Sequence, residues 1–153
     1  AWWGWVWRGA VRYGVATRIK RPSTAFALSG AIKRPRKKAI NHVAYVRRLP
    51  CLLAGHDCQG ETEAAHVRFG SLRHGKPGTG TGEKPSDCYV VPLCSGHHNK
   101  GPESQHAANE QHWWRGKGID PIIISALLFQ VSGDDEAGKL ICEGARELKL
   151  WSK

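Results

Sequence analysis

The sequence predicts a small α+β domain in which a strand, a long loop, a second strand, a cysteine knuckle and a helix follow one another. EAAHVRF has the composition of a short strand, and CYVVPL is apolar and β-branched, as strands are. Between them lies GSLRHGKPGTGTGEKPSD, whose Gly and Pro content is that of a loop. The knuckle follows in PLCSGHH, and at 153 residues the chain has the length of one ordinary domain.

Helices are predicted on both sides of this unit. In AINHVAYVRRL, the apolar residues Ile40, Val43 and Leu49 recur at roughly helical spacing. At the carboxyl end, DPIIISALLFQV and DDEAGKLICEGARELKLW fit two helices, the first with Asp120 as its N-cap and a proline at the first helical position. The segment after His97 is also expected to become helical toward the two adjacent tryptophans at positions 113 and 114.

The positive charge of the chain is concentrated in its amino-terminal part. Residues 1–56 contain twelve Lys or Arg and no Asp or Glu, whereas residues 57–153 carry a net charge of −2. Pro35 opposes a continuous helix in KRPRKK, so we expect residues 1–38 to be a poorly ordered, basic and tryptophan-rich arm. A basic half favours an acidic polymer partner, with nucleic acid first; a solvated basic tail is the alternative. The candidate DNA contacts, in the arm and in the long loop, are Arg34, Arg36, Lys37, Lys38, Arg73, Lys76 and Lys84, although the loop is equally explained as a flexible connection.

Four residues have the character of a structural zinc site. Cys94 and His97 are separated by two residues, the compact spacing of a knuckle, and Gly96 relieves the turn between them. Cys51 and Cys58 are separated by six residues, which is wider than usual. Five cysteines, an odd number, and no visible secretory signal argue against a disulfide framework. We therefore predict zinc at these three cysteines and His97; buried cysteines beside a surface histidine are the alternative.

A second group consists of three histidines. If His97 faces the zinc site, the adjacent His98 must point elsewhere, because neighbouring side chains of an ordered backbone diverge. His106 follows His98 by eight positions, a little over two turns of a continuous helix, although the Gly-Pro pair at 101–102 interrupts that geometry. With His66 they would form a hydrolytic site, in which a divalent ion neutralises charge and a histidine activates water. Three unrelated surface or hydrogen-bonded histidines are the alternative.

Four stretches occur in a distinctive order: CLLAGHDCQGETEAAHVRFG, GTGTGEKPSDCYVVPLCSGHH, a following QH, and WWRGKGIDP. In that order they resemble the HNH endonuclease superfamily, whose fold is a ββα-metal (His-Me finger) unit. More narrowly, they resemble small phage and prophage nucleases related to the Ref recombination-enhancement nuclease. The resemblance covers roughly residues 40–125. It divides the chain into the arm at 1–38, a nuclease domain at 39–125, and a helical extension at 126–153.

The resemblance implies a role for each matching residue. His66 matches the general base at the end of the first strand, and Asp87 stands where the family has a central, mostly structural Asn. His98 and His106 match residues that hold the catalytic ion, Mg²⁺ or another divalent cation. The zinc ligands that brace the family's unit match Cys51, Cys58, Cys94 and His97.

Two positions depart from the family's pattern. Ala65 precedes the base where many members carry a metal-ligating Asp or His, so Asp87 or Glu63 is a candidate for the missing carboxylate. His97 replaces a more frequent Cys, which zinc accepts, and an exchange of roles with the adjacent histidine stays open. Arg68 lies two residues beyond His66, on the same strand face, and is a candidate phosphate contact; an exposed strand charge is the alternative.

The resemblance implies metal-dependent hydrolysis of DNA phosphodiester bonds, with 5′-phosphate and 3′-hydroxyl products. Two alternatives use the same residues without catalysis. One is a zinc-stabilised module that binds nucleic acid, and the other is an accessory protein that docks on a recombinase through the carboxyl-terminal helices. Because the apolar start is too short and too interrupted by Arg to span a bilayer, we expect no membrane association. The expected location is the cytoplasm of a bacterial or phage-infected cell.

Overall fold

The computed structural model describes residues 35–149 except positions 56 and 108. Most of the predicted arm, Arg34 included, therefore lies outside the described residues. In chain order, the described elements are helix α1 (Ile40–Arg48), strands β1 (Thr62–His66) and β2 (Val90–Cys94), a π-helical turn (Gly96–Lys100), and helices α2 (Glu110–Lys117), α3 (Pro121–Gln130) and α4 (Asp135–Leu148). This is the small α+β domain that the sequence predicts, with its two strands and its helices in the predicted order.

β1 and β2 pair antiparallel, and their register determines which segments meet at each end of the sheet. His66 lies opposite Val90, so the end of β1 is beside the segment that leads into β2. Thr62 lies opposite Cys94, so the start of β1 is beside the cysteine knuckle. One short strand therefore positions two groups of side chains, one near each of its ends.

β2 is buried along its whole length. Both α1 and α3 contact it, and the N–H of Leu52 donates a hydrogen bond to the Pro92 carbonyl at 2.7 Å. A strand covered in this way carries a continuous apolar run, which explains why VVPL lacks polar alternation. Trp114 from α2, Leu128 from α3 and Cys142 from α4 are fully buried in the same core.

Side-chain caps begin the last three helices. Asp120 accepts a hydrogen bond from the N–H of Ile122 at 3.0 Å, with Pro121 at the first helical position, as predicted. Asn109 and Asp134 cap α2 and α4 in the same way. α3 runs from 121 to 130, so residues on both sides of the domain boundary predicted at 125/126 belong to one helix.

The Gly-Pro pair at 101–102 interrupts the segment after the knuckle, and the helix that contains the two tryptophans begins at Glu110, as the sequence indicates. The π-helical turn ends at Gly101, whose backbone is extended because a proline follows it. The chain then folds back: the N–H of Gln105 donates to the His97 carbonyl at 2.8 Å, and the N–H of His106 approaches the His98 carbonyl at 3.4 Å. A folded-back loop, rather than helical spacing, therefore brings His98 and His106 together.

Residues 35–38, which the sequence analysis assigns to the arm, are hydrogen-bonded to the segment that leads into β2. The Lys37 carbonyl accepts from the N–H of Asp87 at 2.8 Å, and the N–H of Lys37 donates to the Ser86 hydroxyl at 3.1 Å. Residues 35–38 accordingly belong to the same compact unit as the two strands. No helix in the described part of the chain is long and apolar enough to cross a membrane.

Candidate functional site

Three cysteines and one histidine converge on one point beside the start of β1. Cys51 follows α1, Cys58 lies in the loop before β1, Cys94 ends β2, and His97 lies in the π-helical turn. Their ligand atoms all lie within 4.8 Å of one another. The Nδ1 atom of His97 is 3.1 Å from the sulfur of Cys94, 3.5 Å from that of Cys51 and 3.8 Å from that of Cys58. Tetrahedral zinc, with bonds of about 2.1–2.3 Å, separates its ligand atoms by roughly 3.4–3.8 Å. The group can therefore hold a metal ion such as zinc.

The surroundings of this group suit a bound cation. Burial raises the pKa of the Cys51 thiol, so the thiolate that ligates metal needs a positive charge beside it. Burial acts the same way at Cys94, but N–H groups of His97 and Gln59 outweigh it and lower the pKa of that thiol. The second ring nitrogen of His97 lies 3.9 Å from the exposed carboxylate of Asp57, which is too far for a hydrogen bond.

His66 lies at the other end of β1 and contacts a buried carboxylate. Its Nε2 atom is 2.9 Å from Asp87, which is 4% exposed. The same carboxylate accepts the N–H of Ala39 at 2.9 Å and the guanidinium of Arg36. Burial alone would raise the pKa of Asp87, but the hydrogen bonds from Ala39, His66 and Arg36 outweigh it and lower that pKa to about 2. Ionised Asp87 therefore favours the tautomer of His66 that carries its proton on Nε2, which leaves a lone pair on Nδ1.

A third group joins Glu63 of β1 to two histidines. The Nδ1 atom of His98 lies 2.5 Å from one carboxylate oxygen of Glu63, and the Ser95 hydroxyl donates to the other at 2.8 Å. Hydrogen bonds from His98 and Ser95 lower the pKa of Glu63. On the far side of the ring, Nε2 of His98 is 3.2 Å from Nε2 of His106. Glu63 thus contacts the ring nitrogen of His98 that faces away from His106.

The contact between His98 and His106 has the length of an N–H···N hydrogen bond and is also compatible with two ligands of one ion. Nitrogens bound at right angles to a metal at about 2.0–2.1 Å lie roughly 3 Å apart, close to the separation observed. Glu63 on the opposite nitrogen of His98 would orient that ring, as carboxylates do behind metal-binding histidines. Within the described residues, however, the Cys-Cys-Cys-His group is the only set of three or more ligands in mutual reach. His66 is therefore not part of one ligand set with His98 and His106.

Lys76 is buried, contrary to its predicted contact with DNA. It is 3% exposed, and its ammonium group donates to the carbonyls of Phe69 at 2.8 Å and Pro77 at 3.3 Å. It also lies over the ring of Tyr89, and burial lowers its pKa. Lys76 pairs with Ser71 through backbone hydrogen bonds that close a short hairpin. The two carbonyls replace the water that the ammonium group loses on burial, so Lys76 stabilises this loop from inside. It is therefore not part of the predicted DNA-binding surface.

The other predicted DNA contacts divide into two groups. Arg36 has its guanidinium held by Asp87 and by the Pro85 carbonyl at 2.9 Å, while about a third of its side chain, 32%, stays exposed. Exposed side chains belong to Lys37, Lys38, Arg68, Arg73 and Lys84. The backbone N–H of Arg68 is also hydrogen-bonded, to Glu110.

Two residues of this region were not singled out from the sequence, Gln105 and Glu110. Gln105 is fully buried, and its side chain donates to the His66 carbonyl at 3.2 Å and to Glu110 at 2.6 Å. In the stretch ESQHAANEQH both look like ordinary exposed polar residues. No local spacing or motif distinguishes them, because their partners lie on a distant strand.

Comparison of the chain with family models, with curated proteins and with solved structures found no match.

Proposed function

We propose that this chain is a metal-dependent endonuclease that hydrolyses DNA phosphodiester bonds, built on a ββα-metal unit of the HNH type. The observation that carries the proposal is the antiparallel register of β1 and β2. It sets the His66–Asp87 pair at one end of β1, and the Glu63–His98–His106 group on the side of the cysteine knuckle. Hydrolysis of a phosphodiester needs a base and a divalent ion, and β1 carries a histidine held by a buried carboxylate together with a carboxylate that contacts a pair of imidazoles.

His66 acts as the general base in this proposal. Ionised Asp87 holds the Nε2 proton of His66 at 2.9 Å and thereby fixes the orientation of the ring. Nδ1 then accepts a proton from the attacking water. Arg36 and the N–H of Ala39 keep Asp87 ionised and in place. In this proposal Asp87 has a structural role and acts through His66 rather than as a metal ligand.

His98 and His106 would hold the divalent ion, and Glu63 would orient His98 from behind. When bound, such an ion supplies positive charge that stabilises the leaving oxygen. Two imidazole nitrogens favour a transition metal such as Mn²⁺ over Mg²⁺, whose usual ligands are oxygens. Because Glu63 contacts His98 itself, the carboxylate missing at Ala65 is not replaced by a direct ligand, and we expect weak ion binding in the absence of DNA.

The exposed cations would bind the phosphates of the substrate. These exposed cations are Lys38, Arg68, Arg73 and Lys84. They supply positive charge for phosphates, but their side chains are not spaced to recognise particular bases. We therefore expect DNA binding that tolerates sequence and weakens steeply as salt rises.

A second candidate is a zinc-stabilised module that binds nucleic acid without cutting it. One observation favours it: among the described residues, only the Cys-Cys-Cys-His group forms a complete ligand set, and such a closed set leaves no open position for chemistry. This candidate needs the basic surface and the structural metal but gives no task to Glu63, His66 or His106.

Cleavage of supercoiled plasmid by protein of verified zinc content separates the two candidates. The buffer should be freed of divalent ions and then supplemented with Mn²⁺ or Mg²⁺, because a strong chelator would also remove the structural metal. The nuclease proposal predicts nicked or linear DNA only after an ion is added, and a loss of cutting in His98→Ala with zinc retained. DNA binding without cutting by the folded, zinc-loaded protein would support the binding module instead.

A further inference from the structure

Gln105 and Glu110 together hold the backbone that directly follows His66. The Gln105 side chain donates to the His66 carbonyl at 3.2 Å and to a carboxylate oxygen of Glu110 at 2.6 Å. Both oxygens of Glu110, the first residue of α2, lie 3.1 Å from the backbone N–H of Arg68. The two side chains thus bind successive peptide groups at the point where β1 leaves the sheet.

Gln105 also ties this strand end to the segment that carries the paired histidines. Its backbone N–H donates to the His97 carbonyl at 2.8 Å, which closes the loop after the π-helical turn. The next residue, His106, has its Nε2 atom 3.2 Å from Nε2 of His98. One residue therefore contacts β1 through its side chain and the knuckle through its backbone, so it sets the separation of the two groups.

The burial of Gln105 is costly for stability alone. The side chain is fully buried, and its amide oxygen has no hydrogen-bond partner among the described residues. A buried polar atom without a partner destabilises a fold, and an apolar side chain of similar size would avoid that cost. The amide is thus better explained by the geometry that its N–H groups impose than by core packing.

We propose that Gln105 and Glu110 are positioning residues, which fix the strand end carrying His66 against the segment carrying His98 and His106. The proposal rests on the nuclease function, because the distance that it explains is that between the base and the ion-binding pair. Neither residue contacts the reacting atoms, and both act through the backbone that holds His66.

Gln105→Leu tests this role in the zinc-loaded full chain, because it removes the side-chain donors at nearly constant volume and leaves the backbone bond to His97. Glu103→Gln, an exposed change in the same loop, is the matched control. We expect Gln105→Leu to bind Mn²⁺ as the wild type does and to keep its KM for DNA within about twofold, while kcat falls roughly 10–100-fold. A wild-type kcat in Gln105→Leu, or a loss of Mn²⁺ affinity that accounts for the slower rate, overturns the proposal.

Hydrogen exchange tests the same contacts without DNA, so the failure of this proposal and that of the nuclease function are distinguishable. In Glu110→Ala the amide of Arg68 loses both acceptors, and in Glu110→Gln it keeps one. We expect the exchange of the Arg68 amide to accelerate about tenfold in Glu110→Ala and less in Glu110→Gln. The exchange rate of the Leu128 amide in α3 should stay unchanged and serves as the internal control for global unfolding. Unchanged exchange at Arg68 overturns the proposal even if the wild type cuts DNA. If the wild type cuts no DNA, the proposed function fails, and accelerated exchange still supports the bridge between the two segments.

Discussion

Replacement of Asp87 by Asn removes the charge at the centre of the contacts around His66. The carboxylate accepts the N–H of Ala39 at 2.9 Å, Nε2–H of His66 at 2.9 Å, and the guanidinium of Arg36, and only 5% of its side chain is exposed. Asn offers one acceptor and turns the other oxygen into a donor, which then opposes one of these N–H groups. Asp87→Asn therefore breaks at least one charge-assisted hydrogen bond and weakens the others.

The magnitude follows from the lowered pKa of Asp87. A pKa of about 2, against an ordinary value of 3.8, corresponds to roughly 2.5 kcal/mol of preference for the ionised form in the folded state. Because the folded value lies below the unfolded one, this stabilisation is fully present above pH 4 and disappears as the pH falls toward 2. We thus expect Asp87→Asn to lower the free energy of unfolding by about 2–3 kcal/mol at pH 8.

Urea unfolding of zinc-saturated protein, followed by circular dichroism, measures this difference. Asp135→Asn is the matched control: Asp135 pairs with Arg48 at 2.9 Å, but both side chains are about half exposed, so we expect no measurable change. A loss below about 0.5 kcal/mol in Asp87→Asn would refute the argument, since even one hydrogen bond to a charged group contributes more.

Three further predictions concern packing and the two metal groups. In α4, a Cβ at Gly138 would meet the Tyr45 hydroxyl and come within 2.7 Å of Leu49, so Gly138→Ala should destabilise by about 1–3 kcal/mol in urea unfolding. Gly144→Ala, with open space around it, should stabilise by about 0.5–1 kcal/mol, and equal effects of the two changes would contradict this packing. Cys94→Ser should contain no zinc when its metal content is measured, and its circular dichroism should be that of a largely unfolded chain. A variant that folds without metal would disprove the structural role of the zinc site. Glu63→Gln should weaken Mn²⁺ binding about 10–100-fold in a titration at unchanged zinc content, whereas wild-type affinity would remove Glu63 from the ion site.

The elements of the fold were predictable because their signals are local. The Asp-Pro start of α3, the apolar run of β2 and the Gly- and Pro-rich loop each depend on neighbouring residues alone. The Cys-Cys-Cys-His group was also predictable, since Cys94 and His97 are separated by two residues, the compact spacing of a zinc knuckle. The interruption after His98 was predictable as well, because Gly101 precedes a proline, and its backbone is extended.

The finer arrangement of the site depended on contacts between distant residues. Glu63 is 35 residues from His98, and Gln105 is 39 from His66, so only the strand register and the folded-back loop bring them together. Lys76 had the sequence context of an exposed loop cation, yet the hairpin turns it inward onto two carbonyls. Arg36 likewise had the context of a basic arm, and its pairing with Asp87 spans 51 positions. Burial of a charge is decided by such tertiary partners, which local composition does not encode.

The central claim is that His66 is the base of a nuclease, and the most direct test is the rate at which two histidine variants cut supercoiled plasmid in Mn²⁺. His66→Ala removes the proposed base, whereas His112→Ala removes an exposed histidine of α2. With equal zinc content and folding, we predict that the wild type and His112→Ala cut at the same rate and that His66→Ala is at least about 100-fold slower. Cutting by His66→Ala at the wild-type rate would contradict the account, and so would a zinc-loaded wild type that binds DNA and leaves it intact.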